Sequence, residues 1–339
     1  MTKWEQITPH LQTTRPHDDV LVISLSNPPY NFLNRAIFDE LKQVINSLDT
    51  QTTRGVVLTS HLDQVFVTHY SVQEIVDFGN KMPAWMPTPS WLIRTALQVE
   101  SWSAVLGFRW LTRKTMFAGV ADLNLYHEVT HLIRSKPQVF VAAINGLCYG
   151  GGCEFALACD YRVVIDTDSA IMGQLESLIG LIPGGGGTQF LSRALGTAKA
   201  LELCLEGKSI TPAEALELGL VNKVVAKNKL EAEAVELARH ISRRSPFATQ
   251  AIKDSVHTGS SLSFRQGLLR EKTWFARAAL VPESQQAMAK YIDHLNTAKP
   301  QTQEDFESIM LPFQQGLFHD FTPGSARRDA QAYATSKHD

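Results

Sequence analysis

Cysteine is scarce in this 339-residue chain, and its spacing carries no pattern. Cys148, Cys153, Cys159 and Cys204 are the whole complement, and they lack the paired spacing of a zinc site. Three lie in apolar sequence, where buried free thiols are expected. Nothing indicates an oxidising compartment. An excess of one charge is missing too: 32 Lys and Arg face 34 Asp and Glu, for a net −2. That balance argues against nucleic acid, or an anionic membrane, as a general partner. No apolar run is long enough to span a membrane. The first residues, MTKWEQITPHLQ, have no apolar run of the kind a signal peptide needs. The expectation from these absences is a cytoplasmic protein with no membrane span. Hydrophobic content of 44% supports a full core.

What the chain does have is concentrated between Ala143 and Leu191. Two glycine runs lie there, Gly150–Gly152 and Gly184–Gly187, each beside a carboxylate in apolar surroundings: Glu154 and Glu176. Val139 to Ile144 reads as a buried strand, closed by Asn145-Gly146. Three glycines then allow turns that a side chain would obstruct. Cys153 to Cys159 reads as a short buried helix. The N–H groups of its first turn have no partner within the helix and carry partial positive charge.

Several glycine-loop chemistries fail on residue identity. A phosphate-cradling loop of the Walker type needs Gly-Lys-Ser/Thr, and neither run has a lysine. The dinucleotide fingerprint needs a sixth-position glycine, where Phe155 and Gln189 stand. No Gly-x-Ser-x-Gly elbow occurs in the stretch. An N–H-based oxyanion site flanked by two carboxylates remains.

Alternation and β-branching predict strands over Val20 to Leu25 and Arg54 to Thr59, with a helix from Ala36 to Leu48 between them. The same order recurs at Val139–Ile144 and Tyr161–Ile165, so the fold class is α/β with repeated units. Asp122 to Arg134 is predicted helical and contains His127-Glu128-Val129-Thr130-His131, literally the His-Glu-x-x-His of zinc proteases. Thr211 with Glu214 three residues on predicts a capping box. Leu230 to Ile241, Phe247 to Val256 and Leu262 to Leu280 read as amphipathic helices. Phe306 to Phe318 could form another, and Pro323 to Asp339 reads as disordered.

AAINGLCYGGGCEFALACDYRV and GLIPGGGGTQFLSRALGTAKALELCLEGKSITPAEALELGLVNKVV resemble the crotonase superfamily, the enoyl-CoA hydratases and isomerases. NPPYNFLN and RGVVLTSHLDQVFVTHYSVQEI upstream, and RRSPFATQAIK and EKTWFARAALVPESQQAM downstream, resemble it too. The likeness covers roughly residues 18 to 78 and 119 to 298. It implies a crotonase-like spiral of repeated ββα units over residues 1–245, with a C-terminal helical trimerisation region at 246–300. A C-terminal extension, 301–339, exceeds the family's usual length. The His-Glu-x-x-His segment becomes an outer helix, and no metal site is expected.

The resemblance also distributes roles. It places an oxyanion hole on the backbone N–H groups of Tyr70 and Gly151, with Glu154 and Glu176 as the catalytic pair. Phe32, Thr68, His69 and Gly150 fall at substrate-binding positions. The family's isomerases often keep one of the two glutamates; this chain has both, which favours hydration of a 2-enoyl-CoA. An isomerase, an acyl-CoA hydrolase, or a non-catalytic thioester- or partner-binding subunit are the alternatives. Apolar neighbours are expected to raise the pKa of Glu176, while the helix N-terminus opposes such a rise at Glu154. No cofactor is implied, coenzyme A being part of the substrate. The implied assembly is a homotrimer or a dimer of trimers.

Two departures stand out. The family's first oxyanion loop, usually Phe-x-Ala-Gly-Ala-Asp, reads Phe66-Val67-Thr68-His69-Tyr70-Ser71 here. His69 replaces a glycine, so the loop's shape is threatened if φ must be positive there. The second departure is the apolar insertion 79–118, which holds four of the six tryptophans: Trp85, Trp91, Trp102 and Trp110. It is expected to be helical. It either packs on the core or a neighbouring subunit, or caps the acyl side of the pocket as a half-exposed lid.

Overall fold

The computed structural model describes residues 3–83, 85, 88–115 and 117–322. Among the described residues ten strands run in chain order: β1 Glu5–Gln6, β2 Leu11–His17, β3 Val20–Leu25, β4 Gly55–Ser60, β5 Gln64–Val67, β6 Val139–Ile144, β7 Gly146–Tyr149, β8 Tyr161–Ile165, β9 Met172–Gly173 and β10 Lys223–Val225. They form two sheets. The larger has the order β1-β2-β3-β4-β6-β8-β10 and is parallel from β3 onward; the smaller, β5-β7-β9, is parallel throughout.

The split explains the repeat. Strands β4, β6 and β8 lie side by side in the large sheet, and each is followed by a strand of the small sheet. The chain therefore winds as a spiral, one strand on each wall per turn. Helices Val72–Lys81 and Gly151–Ala158 follow the first two strand pairs. The strand core VFVAAI of β6 is buried at every position, as a parallel strand covered on both faces requires. Helix Arg35–Ser47 starts at Asn34, whose side chain accepts from the Ile37 N–H at 3.0 Å. It packs on helix Ala118–Ser135. Helix Pro212–Glu217 opens with the expected capping box of Thr211 and Glu214.

The C-terminal helices Pro246–His257, Phe264–Ala279, Pro282–Ala298 and Gln303–Gln314 follow the spiral. They leave Phe264, Leu269, Phe275 and Leu280 in solvent. Past the last helix, the Arg243 guanidinium donates to the Gln315 carbonyl at 3.1 Å. That contact ties the chain back to the spiral. The segment expected to be disordered, 323–339, lies outside the described residues.

The insertion is helical, with helices Ser90–Val105 and Arg109–Thr112. It is held on helix Ala118–Ser135 by an ion-pair hub. Arg109 donates to Glu100 at 2.6 Å and to Glu128 at 2.8 Å, and Lys42 reaches Glu128 at 2.6 Å. Arg113 pairs with Asp39 at 2.8 Å. Glu100 is almost fully buried, so it needs these partners and the Asn124 amide that also donates to it.

Candidate active site

The two glycine runs meet through one carboxylate. Glu154 sits in the first turn of helix Gly151–Ala158 and is 2% exposed. Its Oε1 accepts from the N–H groups of Gly185 and Gly187 at 2.8 and 2.7 Å. Those donors open helix Gly187–Leu195, so the carboxylate rests where helix N–H groups and partial positive charge favour it. Burial is nevertheless stronger. It lifts the Glu154 pKa from 4.5 to about 7, against the bonds from the second glycine run, and the charge of Glu176 adds to the rise. The expectation that the helix terminus would hold Glu154 down is thus corrected: desolvation outweighs it.

Glu176 begins the short 3-10 turn Glu176–Ile179, and burial raises its pKa as well. The Gln174 amide, oriented by hydrogen bonding, donates to both of its carboxylate oxygens at 3.2 and 3.1 Å. Gly150, at φ +46°, lies directly beneath: a β-carbon there would stand 2.8 Å from Glu176 Oε1. Only glycine combines that backbone conformation with that approach.

Gly151 and Tyr70 come together in the same place. A β-carbon on Gly151 would lie 3.0 Å from the Tyr70 nitrogen. Leu33 donates to the His69 carbonyl at 2.9 Å and accepts from the Ser71 N–H at 2.7 Å. This bridge turns the Tyr70 N–H away from the strand pairing. Among the described residues neither the Tyr70 nor the Gly151 N–H has a protein acceptor, and both residues line the cavity. His69 keeps the loop's shape without positive φ, which removes the threat seen in the sequence. Its ring stacks on Phe32 at 4.4 Å.

A cavity of about 650 Å³ opens over these groups. His69, Tyr70, Gly150, Gly151 and Glu176 line it, together with apolar side chains such as Ile75, Phe78 and Leu178. Glu154 lies behind the wall, bonded to Gly185, which does line it. Phe32 and Thr68 do not line it: Phe32 supports His69, and the Thr68 carbonyl accepts from the Tyr149 N–H at 3.0 Å. Described residues of the insertion do not line it either; Phe78 and Gly119, which flank the insertion, do. The expected lid is therefore not built by the tryptophans, which stand in solvent.

Three supporting residues escaped the sequence reading. The buried Tyr126 hydroxyl donates to the Gly151 carbonyl at 2.6 Å, fixing the peptide behind the donor. The Tyr70 hydroxyl donates to Glu74, whose carboxylate also accepts from the Arg35 N–H at 3.2 Å. Gln174 is the third. Only Gln174, close to Glu176 in sequence, had a local signal. His127 and His131 are both exposed, with His127 Nε2 at 2.9 Å from the Gly184 carbonyl. Glu128, between them, is engaged by Arg109 and Lys42.

The sequence model of the enoyl-CoA hydratase/isomerase family matches residues 111–301. The chain is 40% identical over 273 residues to "Probable enoyl-CoA hydratase echA8" of Mycobacterium leprae, covering 80% of this chain and 91% of that protein. It is 36% identical over 171 residues to "Probable enoyl-CoA hydratase, mitochondrial" of Dictyostelium discoideum, covering 50% of this chain and 60% of that one. Among solved structures, an enoyl-CoA hydratase from Polaromonas sp. JS666 superposes with a TM-score of 0.66 at 26% identity, over 84% of this chain and 96% of that one. One from Bacillus anthracis gives 0.62 at 26%, over 86% and 96%. The spiral, the paired glycine runs and these likenesses converge: the chain is an acyl-CoA enzyme of the enoyl-CoA hydratase/isomerase family, within the crotonase superfamily.

Proposed function

We propose that this enzyme hydrates a 2-enoyl-CoA thioester to the 3-hydroxyacyl-CoA. One observation carries the reading: two carboxylates, each with its pKa raised by burial, stand beside two bare backbone N–H groups. The thioester oxygen accepts from Tyr70 N–H and Gly151 N–H. As the enolate forms, charge grows on that oxygen, and each aimed donor is worth about 2.7–4 kcal/mol there. The double bond's C3 becomes electrophilic. Glu154 takes a proton from the attacking water, through the oxygen its two glycine bonds leave free. Glu176, protonated, gives its proton to C2. Water thus adds across the bond, hydroxyl to C3 and hydrogen to C2. The step as written needs no metal or redox group, and coenzyme A belongs to the substrate.

Burial suits both roles, because it brings carboxyl groups toward neutral pH, where each can hold or release a proton. The exposed apolar residues of the C-terminal helices support a homotrimer, whose contacts would cover them. A second reading has its own observation: Glu176 lines the cavity and Glu154 does not. A single working carboxylate would suit movement of a double bond instead. Incubation with 2-enoyl-CoA thioesters of graded length, following the conjugated absorbance, separates the two. Loss of absorbance with 3-hydroxyacyl-CoA as product supports hydration; double-bond migration without hydration supports the isomerase.

A further inference from the structure

The insertion 79–118 is one-sided in both apolarity and charge. Trp91, Trp102 and Val105 are 68%, 71% and 86% exposed, and Leu106, Phe108 and Trp110 join them in solvent. An exposed apolar cluster of this kind marks an interaction surface. The charges around it are sorted. Residues 79–118 hold five cations and a single acid, Glu100. Glu100 is buried, and Arg109 binds both it and Glu128, while Arg113 binds Asp39. Every carboxylate paired with the insertion's arginines is thus neutralised on its inner side. Lys81, Arg94 and Lys114 are the exposed charges, with Lys114 poised 5.3 Å over the Trp110 ring. Asp77, on helix Val72–Lys81 next to the insertion, is the neighbouring exposed acid, and the Gln73 amide donates to it.

We propose that this face docks on the surface of an anionic phospholipid bilayer, lying in its interface. Tryptophan favours that boundary, having a large apolar body and a polar N–H. Exposed cations beside it add attraction to anionic headgroups, and an interfacial helix needs both. No helix among the described residues is long and apolar enough to cross a membrane, so the contact is peripheral. A second copy of the chain fits worse: a two-fold contact through the same patch would bring together two faces whose exposed charges, Lys81, Arg94 and Lys114, have the same sign. The near-neutral charge of the whole chain hides this local excess. The cavity is lined by Phe78 and Gly119, the residues at the two ends of the insertion.

Co-sedimentation of the full chain with vesicles tests this. Phosphatidylcholine vesicles are compared with vesicles containing one third phosphatidylglycerol, at low and high salt. Binding should favour the anionic vesicles and weaken as salt screens the charges. Replacing Arg94 and Lys114 together by Gln should weaken it about 10–30-fold, from about 1 kcal/mol per cation. Trp102→Ser should weaken it with either charge pattern. Turnover of a short-chain thioester without vesicles should be unchanged in both variants, showing intact folding. Absence of anionic-vesicle binding, or binding that both variants retain, overturns the proposal. So does self-association that Trp102→Ser abolishes while no vesicles are bound, which makes the patch a contact between copies.

Discussion

Between residues 139 and 191 the apolar side chains of strand Val139–Ile144 and of helix Gly151–Ala158 are buried almost throughout; between 79 and 118 the four tryptophans face solvent. Both stretches are rich in apolar residues, yet only one is core. Strand β6 has neighbours on both sides in the sheet, and helix Gly151–Ala158 is enclosed by the small sheet and helix Gly187–Leu195. The insertion packs mainly on helix Ala118–Ser135, and its polar contacts to that helix and to helix Arg35–Ser47 include ion pairs made by Arg109 and Arg113. Apolar composition thus measures how much surface seeks cover, while topology decides whether the chain itself supplies it. The same contrast separates the two carboxylates proposed to react, which lie in the enclosed stretch, from the insertion, whose described residues do not line the cavity.

Substitutions should reproduce that division. Glu154→Gln and Glu176→Gln should each lower kcat by about 10²–10⁴ while the fold and thioester binding persist. Stopped assays with a binding titration check this; near-full rate after Glu176→Gln removes the two-carboxylate scheme. Gly151→Ala should cost about 10²-fold in kcat, because its methyl would crowd the Tyr70 nitrogen at 3.0 Å and displace one oxyanion donor. A melting curve alongside distinguishes this from unfolding.

The pH profile is the next effect in size. With Glu154 near 7 in the folded state, kcat/KM should rise with pH through about 7 as the base ionises, and Glu154→Gln should remove that limb. The stability sign is opposite. Its folded pKa lies above the unfolded value, so the unfolded state binds fewer protons between 4.5 and about 7, and Glu154 costs stability as pH rises through that window. Smallest is Trp102→Ala: activity on short thioesters should stay within about twofold and stability within about 0.5 kcal/mol, the range of exposed substitutions. A large loss of activity there would restore the insertion to the site.

Local chemistry made much of this readable. Val20–Leu25, Val139–Ile144 and Tyr161–Ile165 have the bounds their side-chain patterns predict. The Thr211–Glu214 box closes as its spacing requires. Glycine runs beside carboxylates marked residues that the fold brings to one cavity and its wall. What stayed hidden depends on contacts across the spiral. Glu154 is met by Gly185 and Gly187 some thirty positions on, and the Gly151 carbonyl by Tyr126 from a preceding helix. No periodicity encodes those meetings. The exposure of the insertion was hidden for the same reason, since its pattern does not say how many neighbours will cover it.

The central claim is that water adds across a conjugated double bond, with Glu154 and Glu176 moving its protons. Turnover of a 2-enoyl-CoA in oxygen-18 water, and separately in deuterium oxide, tests it by product mass. The account predicts a 3-hydroxyacyl-CoA carrying the solvent oxygen on C3 and one solvent deuterium on C2. A product without solvent oxygen whose double bond has moved, or thioester binding with no turnover, would contradict it.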